Sequence, residues 1–207
     1  CKLRMLSATD DESLSVNRES IDYILEHWSQ ERFVEQVLQP VLGGRTEVVQ
    51  SAVGVLANLN KSAVPAICRF GIEVSDPRIR DRIWKMVAKN LRGHEIQVGR
   101  FLVSCSVPVA RELVALLSQY GEPVTAAKSL LNGLRNVETS VRIEVLAAAE
   151  KMPADHTLTL LLRSLSDADS GVRGKALHLL ARRAIPSVVK GVVEVIESTR
   201  FNEFSLD

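Results

Sequence analysis

Large rings are scarce in this chain of 207 residues, where two Trp, two Tyr and five Phe make up 4%. Any core must come from Leu, Val, Ile and Ala, the bulk of a 46% hydrophobic share. Cysteine is scarce too. Three residues with no CxxC pair exclude a disulfide scaffold and a paired-thiol zinc site. No apolar run reaches the roughly 18 uncharged residues of a membrane-spanning helix. Net charge is nearly absent at +1, and with so many apolar residues this excludes a disordered tail. There is no β alternation of useful length, no GxSxG, no P-loop and no GxGxxG, and Gly43-Gly44 reads as a helix stop. The four histidines, His27, His94, His156 and His178, have no partner at metal-ligand spacing. They read as surface or capping residues. Ser104-Cys105-Ser106 closes a helix with no base nearby in sequence. A non-enzymatic protein without metal or cofactor is expected.

What the chain has is a repeat. Five segments align: VVQSAVGVL from Val48, IRDRIWKMV from Ile79, VARELVALL from Val109, VRIEVLAAA from Val141 and VRGKALHLL from Val172. Their starts are 31, 30, 32 and 31 residues apart. Each carries a helical apolar stripe. Thr46, Asp76, Glu138 and Asp169 stand at helix starts, and Asp76 precedes a proline at the first helical position. A second helix follows each, from Ser62, His94, Pro123, Ala154 and Pro186, after short polar or Gly/Pro breaks. Such short breaks make neighbouring helices antiparallel. One more pair, Glu19 to Trp28 and Glu31 to Leu42, precedes the series. The expected fold is all-α, with about six helical hairpins of period about 31 over one domain, 19–198. Residues 1–18 read as a polar, mobile lead-in, and 199–207 as a tail or the start of a further element.

The repeat resembles the HEAT family, particularly its short bacterial, phycobilisome-lyase-like kind. The residues that carry the likeness are Asp169-Ser-Gly-Val172-Arg173-Gly-Lys-Ala176-Leu177, Glu138-Thr-Ser-Val141-Arg142-Ile-Glu-Val145-Leu146 and Asp76-Pro-Arg-Ile79-Arg80. The resemblance implies a right-handed, armadillo-like α-solenoid. It also implies that Asp76–Arg80, Glu138–Arg142 and Asp169–Arg173 form a structural ladder: the acid pairs with the arginine one turn on, which also bonds the neighbouring repeat's loop. Val109-Ala110 and Val48-Val49 lack the arginine, so the ladder should break there.

Two surfaces are candidates for binding. Arg78, Arg82, Lys85, Lys89 and Arg92 are spaced 4, 3, 4 and 3. They fall within about 80° on one helix face. Residues 61–111 hold ten basic and four acidic side chains, a local +6, whereas residues 1–44 hold four basic and eight acidic, a local −4. The stripe reads as a solvated face, a dock for an acidic protein segment, or a phosphate contact. A pI near 7.9 and the lack of interleaved aromatics weigh against nucleic acid. In HEAT-like proteins the second helices line the concave side, where ligands bind. Their polar positions are Arg69, Gln97, Arg100, Lys128, Asn132, Thr159, Arg163, Lys190 and Glu194.

The expected function is a protein–protein scaffold with an acidic partner on its concave surface, cut from a larger bacterial protein. The alternatives are a nucleic-acid-binding protein, DNA-glycosylase-like, using the stripe, and a chromophore-lyase-like subunit by fold analogy. Cys68 and Cys105 read as buried thiols of a reducing, cytoplasmic compartment. Cys1 as the lipidated residue of a lipoprotein is the lesser alternative.

Overall fold

The computed structural model describes residues 61–183 without a break, together with scattered positions between 20 and 56 and Val193. The described residues form helices and no strands, and the fold is all-α. Both tails, most of the first expected hairpin and the helix expected from Pro186 lie outside them. By contact the chain divides into two compact units, Cys1–His94 and Glu95–Asp207.

In the first unit a 3-10 turn, Lys61–Ala63, leads into α1, Val64–Glu73, which packs on α2, Pro77–Asn90. The start of α2 follows from two residues. The Asp76 carboxylate accepts the Arg78 N–H at 2.8 Å, and Pro77 supplies a fixed φ at a position whose N–H needs no partner. Past the end of α2, Gly93 takes φ +94°, a left-handed turn that side chains resist, and the His94 N–H bonds back to the Leu91 carbonyl at 2.8 Å. Ile79, Ile83, Trp84 and Val87 are buried. Gly71 allows the close approach of α1, because a Cβ there would meet the Trp84 ring at 2.8 Å.

The second unit holds α3 (Glu95–Arg100), α4 (Val107–Tyr120), α5 (Pro123–Leu130), α6 (Thr139–Lys151), α7 (Ala154–Ser164) and α8 (Ser170–Arg183). Each helix packs on its chain neighbour where the link is short, and on the next helix but one. Thus α3, α5 and α7 form one layer and α4, α6 and α8 the other. Two-residue links, Gly121-Glu122 and Met152-Pro153, reverse the chain between layers. The interior is aliphatic, as the scarcity of rings requires. Leu113, Leu117, Leu130, Leu146 and Leu161 are fully buried, each stabilising the fold by about 1.5–3 kcal/mol.

The helices expected from His94 and Pro123 are shorter than the apolar pattern suggests. Each ends early and passes into a 3-10 turn, Phe101–Val103 and Gly133–Arg135. Such turns tighten the last carbonyls of a helix and redirect the chain. At Gly133 the turn is pressed against α6, where a Cβ would meet Val145 Cγ2 at 2.6 Å.

Candidate functional site

The repeat's polar residues meet in a hydrogen-bonded ladder at the links of the second unit. Arg142 donates to both Asp167 carboxylate oxygens, at 2.9 and 3.1 Å, in the loop before α8. It also donates to the Asn136 and Val137 carbonyls, at 2.9 and 3.0 Å, and to Thr139 Oγ1 at 3.1 Å. Its carboxylate partner is therefore Asp167, not Glu138, which corrects the expected pairing. Glu138 sits at the N-cap of α6, and its side chain makes no capping bond. The reason is directional. An arginine in the first turn of a helix in this layer points back along the preceding link, where carbonyls and the next loop's acid await it. Arg173 likewise donates to the Asp167 and Ala168 carbonyls, at 2.9 and 2.8 Å, while Asp169 caps α8 through the Val172 N–H at 3.1 Å. In the first unit Arg80 donates to the Val74 carbonyl at 2.9 Å.

At the copy without the arginine, a different residue fills the gap. Ala110 is buried where the arginine would stand. The Asn136 amide reaches back to the Leu102 and Cys105 carbonyls, at 2.8 and 3.3 Å, and its oxygen accepts the Glu138 N–H at 2.9 Å. Asn136 and Asp167 lie one period apart and occupy equivalent loop positions, each reaching the previous repeat. Bonds therefore run from Cys105 through Asn136, Arg142 and Asp167 to Arg173. A second link is made by Glu95, buried at the start of α3, whose carboxylate accepts the Glu122 N–H at 2.8 Å. Arg183 closes the α6–α7 link through the Ala149 and Met152 carbonyls and Thr157 Oγ1. Burial lowers its guanidinium pKa.

The two layers carry charge differently. Across α4, α6 and α8, ion pairs join neighbouring helices: Arg111 with Glu144 at 3.7 Å and Arg182 with Glu150 at 2.5 Å. In the other layer Arg100, Lys128 and Arg163 are exposed, each in the last turn of its helix. Among the described residues no carboxylate pairs with them. Gln97 and Thr159 are exposed beside them, and Asn132 is half-buried and donates to the Ser129 carbonyl at 3.2 Å. The acids of this layer stand at the opposite helix ends. Asp155 is in the first turn of α7, and Glu122 caps α5. The Thr125 N–H and hydroxyl and the Val124 N–H hold the Glu122 carboxyl below its ordinary range. Arg69, exposed on α1, belongs to the first unit, and Lys190 and Glu194 lie outside the described residues.

The cations of the stripe are all exposed, Arg78, Arg82, Lys85 and Lys89 on α2 and Arg92 in the turn beyond it, because the helix ends at Asn90 rather than running on to Arg92. Lys85 pairs with Asp81 at 2.6 Å, one turn away on the surface. Trp84 is buried, with its ring against Gly71 of α1.

No group of three metal-binding side chains occurs among the described residues. Cys68 and Cys105 are buried and in no disulfide, and burial pushes the Cys105 thiol up to about 11, out of the reactive range. Among the described residues no helix is long and apolar enough to cross a membrane.

Compared with family models, curated proteins and solved structures, the chain matches none.

Sequence reasoning passed over Asn136, Asp167, Glu95 and Arg183. For the first two a signal existed: polar residues one period apart, two positions before a helix N-cap. Glu95 and Arg183 have no counterpart at that spacing, and only packing brings them to their links.

Proposed function

We propose that residues 95–183 are a stretch of right-handed, HEAT-like α-solenoid that binds another protein through the α3–α5–α7 layer, its concave side. The observation that carries this reading is the contrast between the layers. One joins its helices through two cross-helix ion pairs, and the other presents Arg100, Lys128 and Arg163 on three adjacent helices with no carboxylate partner among the described residues. The ladder from Cys105 to Arg173 supports it too, since it locks successive hairpins into a rigid platform. A rigid array presents contacts without an ordering cost at the moment of binding. Two buried thiols in no disulfide suit a reducing compartment such as the cytoplasm.

Affinity capture with paired variants tests the reading. Arg100→Glu with Lys128→Glu and Arg163→Glu should lose the partner that the unaltered protein retains. Arg111→Glu with Arg182→Glu, on the opposite layer, should keep it. Loss in the second variant alone would overturn the assignment of the face.

A nucleic-acid reading draws on one observation, four exposed cations on a single face of α2 with Arg92 just past its end. It predicts duplex DNA binding that weakens steeply with salt and disappears in Arg82→Glu with Lys89→Glu. An unshifted band in a low-salt gel titration would remove it.

A further inference from the structure

We propose that the α3–α5–α7 face takes an extended acidic segment in polyproline II conformation, with a carboxylate at every third residue. The inference rests on the reading of this face as the partner-binding one and adds the chemistry and shape of what it binds.

The geometry starts from the position of the cations. Arg100, Lys128 and Arg163 each occupy the last turn of their helix. The three helices are successive members of one layer, joined α3 to α5 and α5 to α7 by direct packing. Short links reverse the chain between layers, so the three run in the same sense. Their last turns therefore form one edge of the layer, with a cation on each helix. Packed helices lie about 8–10 Å apart, which sets the cation repeat along that edge. A polyproline II segment rises about 3.1 Å per residue with three residues per turn. Every third side chain then returns to the same face after about 9 Å, matching the helix spacing. A β-strand does not meet this condition, because its third neighbour points to the opposite side.

Charge and packing argue for the same occupant. The helix acids of this layer, Glu95, Glu122 and Asp155, are at the N-terminal ends of their helices, the far edge. Along its helix each cation stands five to eight residues from the acid, about 8–12 Å. That is comparable to the roughly 8 Å screening length at physiological salt, so these acids only partly offset the cation edge. Leu131, Leu158 and Leu162 are half-buried in the same layer and give the residues between the carboxylates apolar surface to cover. A nucleic-acid backbone would gain nothing from those leucines.

Fluorescence anisotropy decides the matter, using a labelled peptide of four Glu-Pro-Leu units. Its controls are a peptide of the same composition with the glutamates in one block, a helical peptide with glutamate at every seventh residue, and a 20-base-pair duplex. The period-three peptide should bind at least tenfold more tightly than each control, and more weakly as salt rises. Binding should vanish in Arg100→Gln with Lys128→Gln and Arg163→Gln, and persist in Arg111→Gln with Arg182→Gln. Lys128→Gln alone, expected to weaken binding several-fold, serves if the triple variant fails to fold. Equal binding of the block or helical peptide, tighter binding of the duplex, or no binding of the period-three peptide overturns the proposal. If the face-specific capture above still succeeds in that case, the partner-binding reading stands and only the acidic, threefold-periodic segment is lost.

Discussion

Arg142 places all its donor groups in five hydrogen bonds, and only about a tenth of its side chain and of Asp167 remains exposed. Removing one member of so enclosed a pair leaves the other charge without its partner. Arg142→Met should therefore cost about 3 kcal/mol, read as a lower urea midpoint. A double-mutant cycle with Asp167→Ala should give a coupling above about 0.5 kcal/mol, and a smaller value would contradict the ladder. Asn136→Ala strands the Leu102 and Cys105 carbonyls and should cost about 1–3 kcal/mol. Glu122 predicts a pH dependence whose sign follows from its lowered carboxyl. Its contribution is complete above the unfolded value of about 4.3 and fades as pH falls through the lower folded value. The stability gap between the unaltered protein and Glu122→Ala should thus be constant near neutrality and close below about pH 4. At this scale the sequence was only partly legible. The arginines at 80, 142 and 173 and the gap at Ala110 could be read from spacing. The partner of Arg142 could not, because it lies 25 residues on, while a carboxylate four residues back offered a nearer but wrong candidate.

Elements are set by caps and by close approaches, and two helical glycines show how differently one residue type can act. Gly99 in α3 lies against α5, where an added Cβ would come within 2.7 Å of Ser129 Cβ. Gly99→Ala should destabilise by about 1–3 kcal/mol through forced separation of the two helices. Gly174 in α8 has no atom within 4 Å of such a Cβ. Gly174→Ala should stabilise by about 0.5–1 kcal/mol, because alanine restricts the unfolded chain and favours helix. Thermal unfolding of the two variants should move in opposite directions. The period and the helix starts were legible here, since Asp76-Pro77 and the apolar stripes are local signals. The early ends of α3 and α5 were not. Their 3-10 turns are shaped by contacts such as Gly133 with Val145, between residues distant in the period.

At the scale of the molecule, a net charge of +1 conceals separate distributions. The α2 stripe is an exposed cationic face in the first unit, interrupted by the Lys85–Asp81 pair. In the second, two ion pairs cross the α4–α6–α8 layer and, among the described residues, none crosses the α3–α5–α7 layer. This contrast could not be read from composition. Arg111 and Arg163 are both exposed arginines, and only packing gives the first a carboxylate, Glu144, on the adjoining helix. The most direct measurement of the central claim is a photo-crosslinking scan. A benzophenone side chain is placed in turn at Gln97, Lys128 and Thr159 on one layer, and at Arg111, Lys175 and Arg182 on the other. The account predicts that adducts with a partner protein form from the first three positions and not from the second three. Adducts from the α4–α6–α8 positions, with none from α3, α5 and α7, would contradict it.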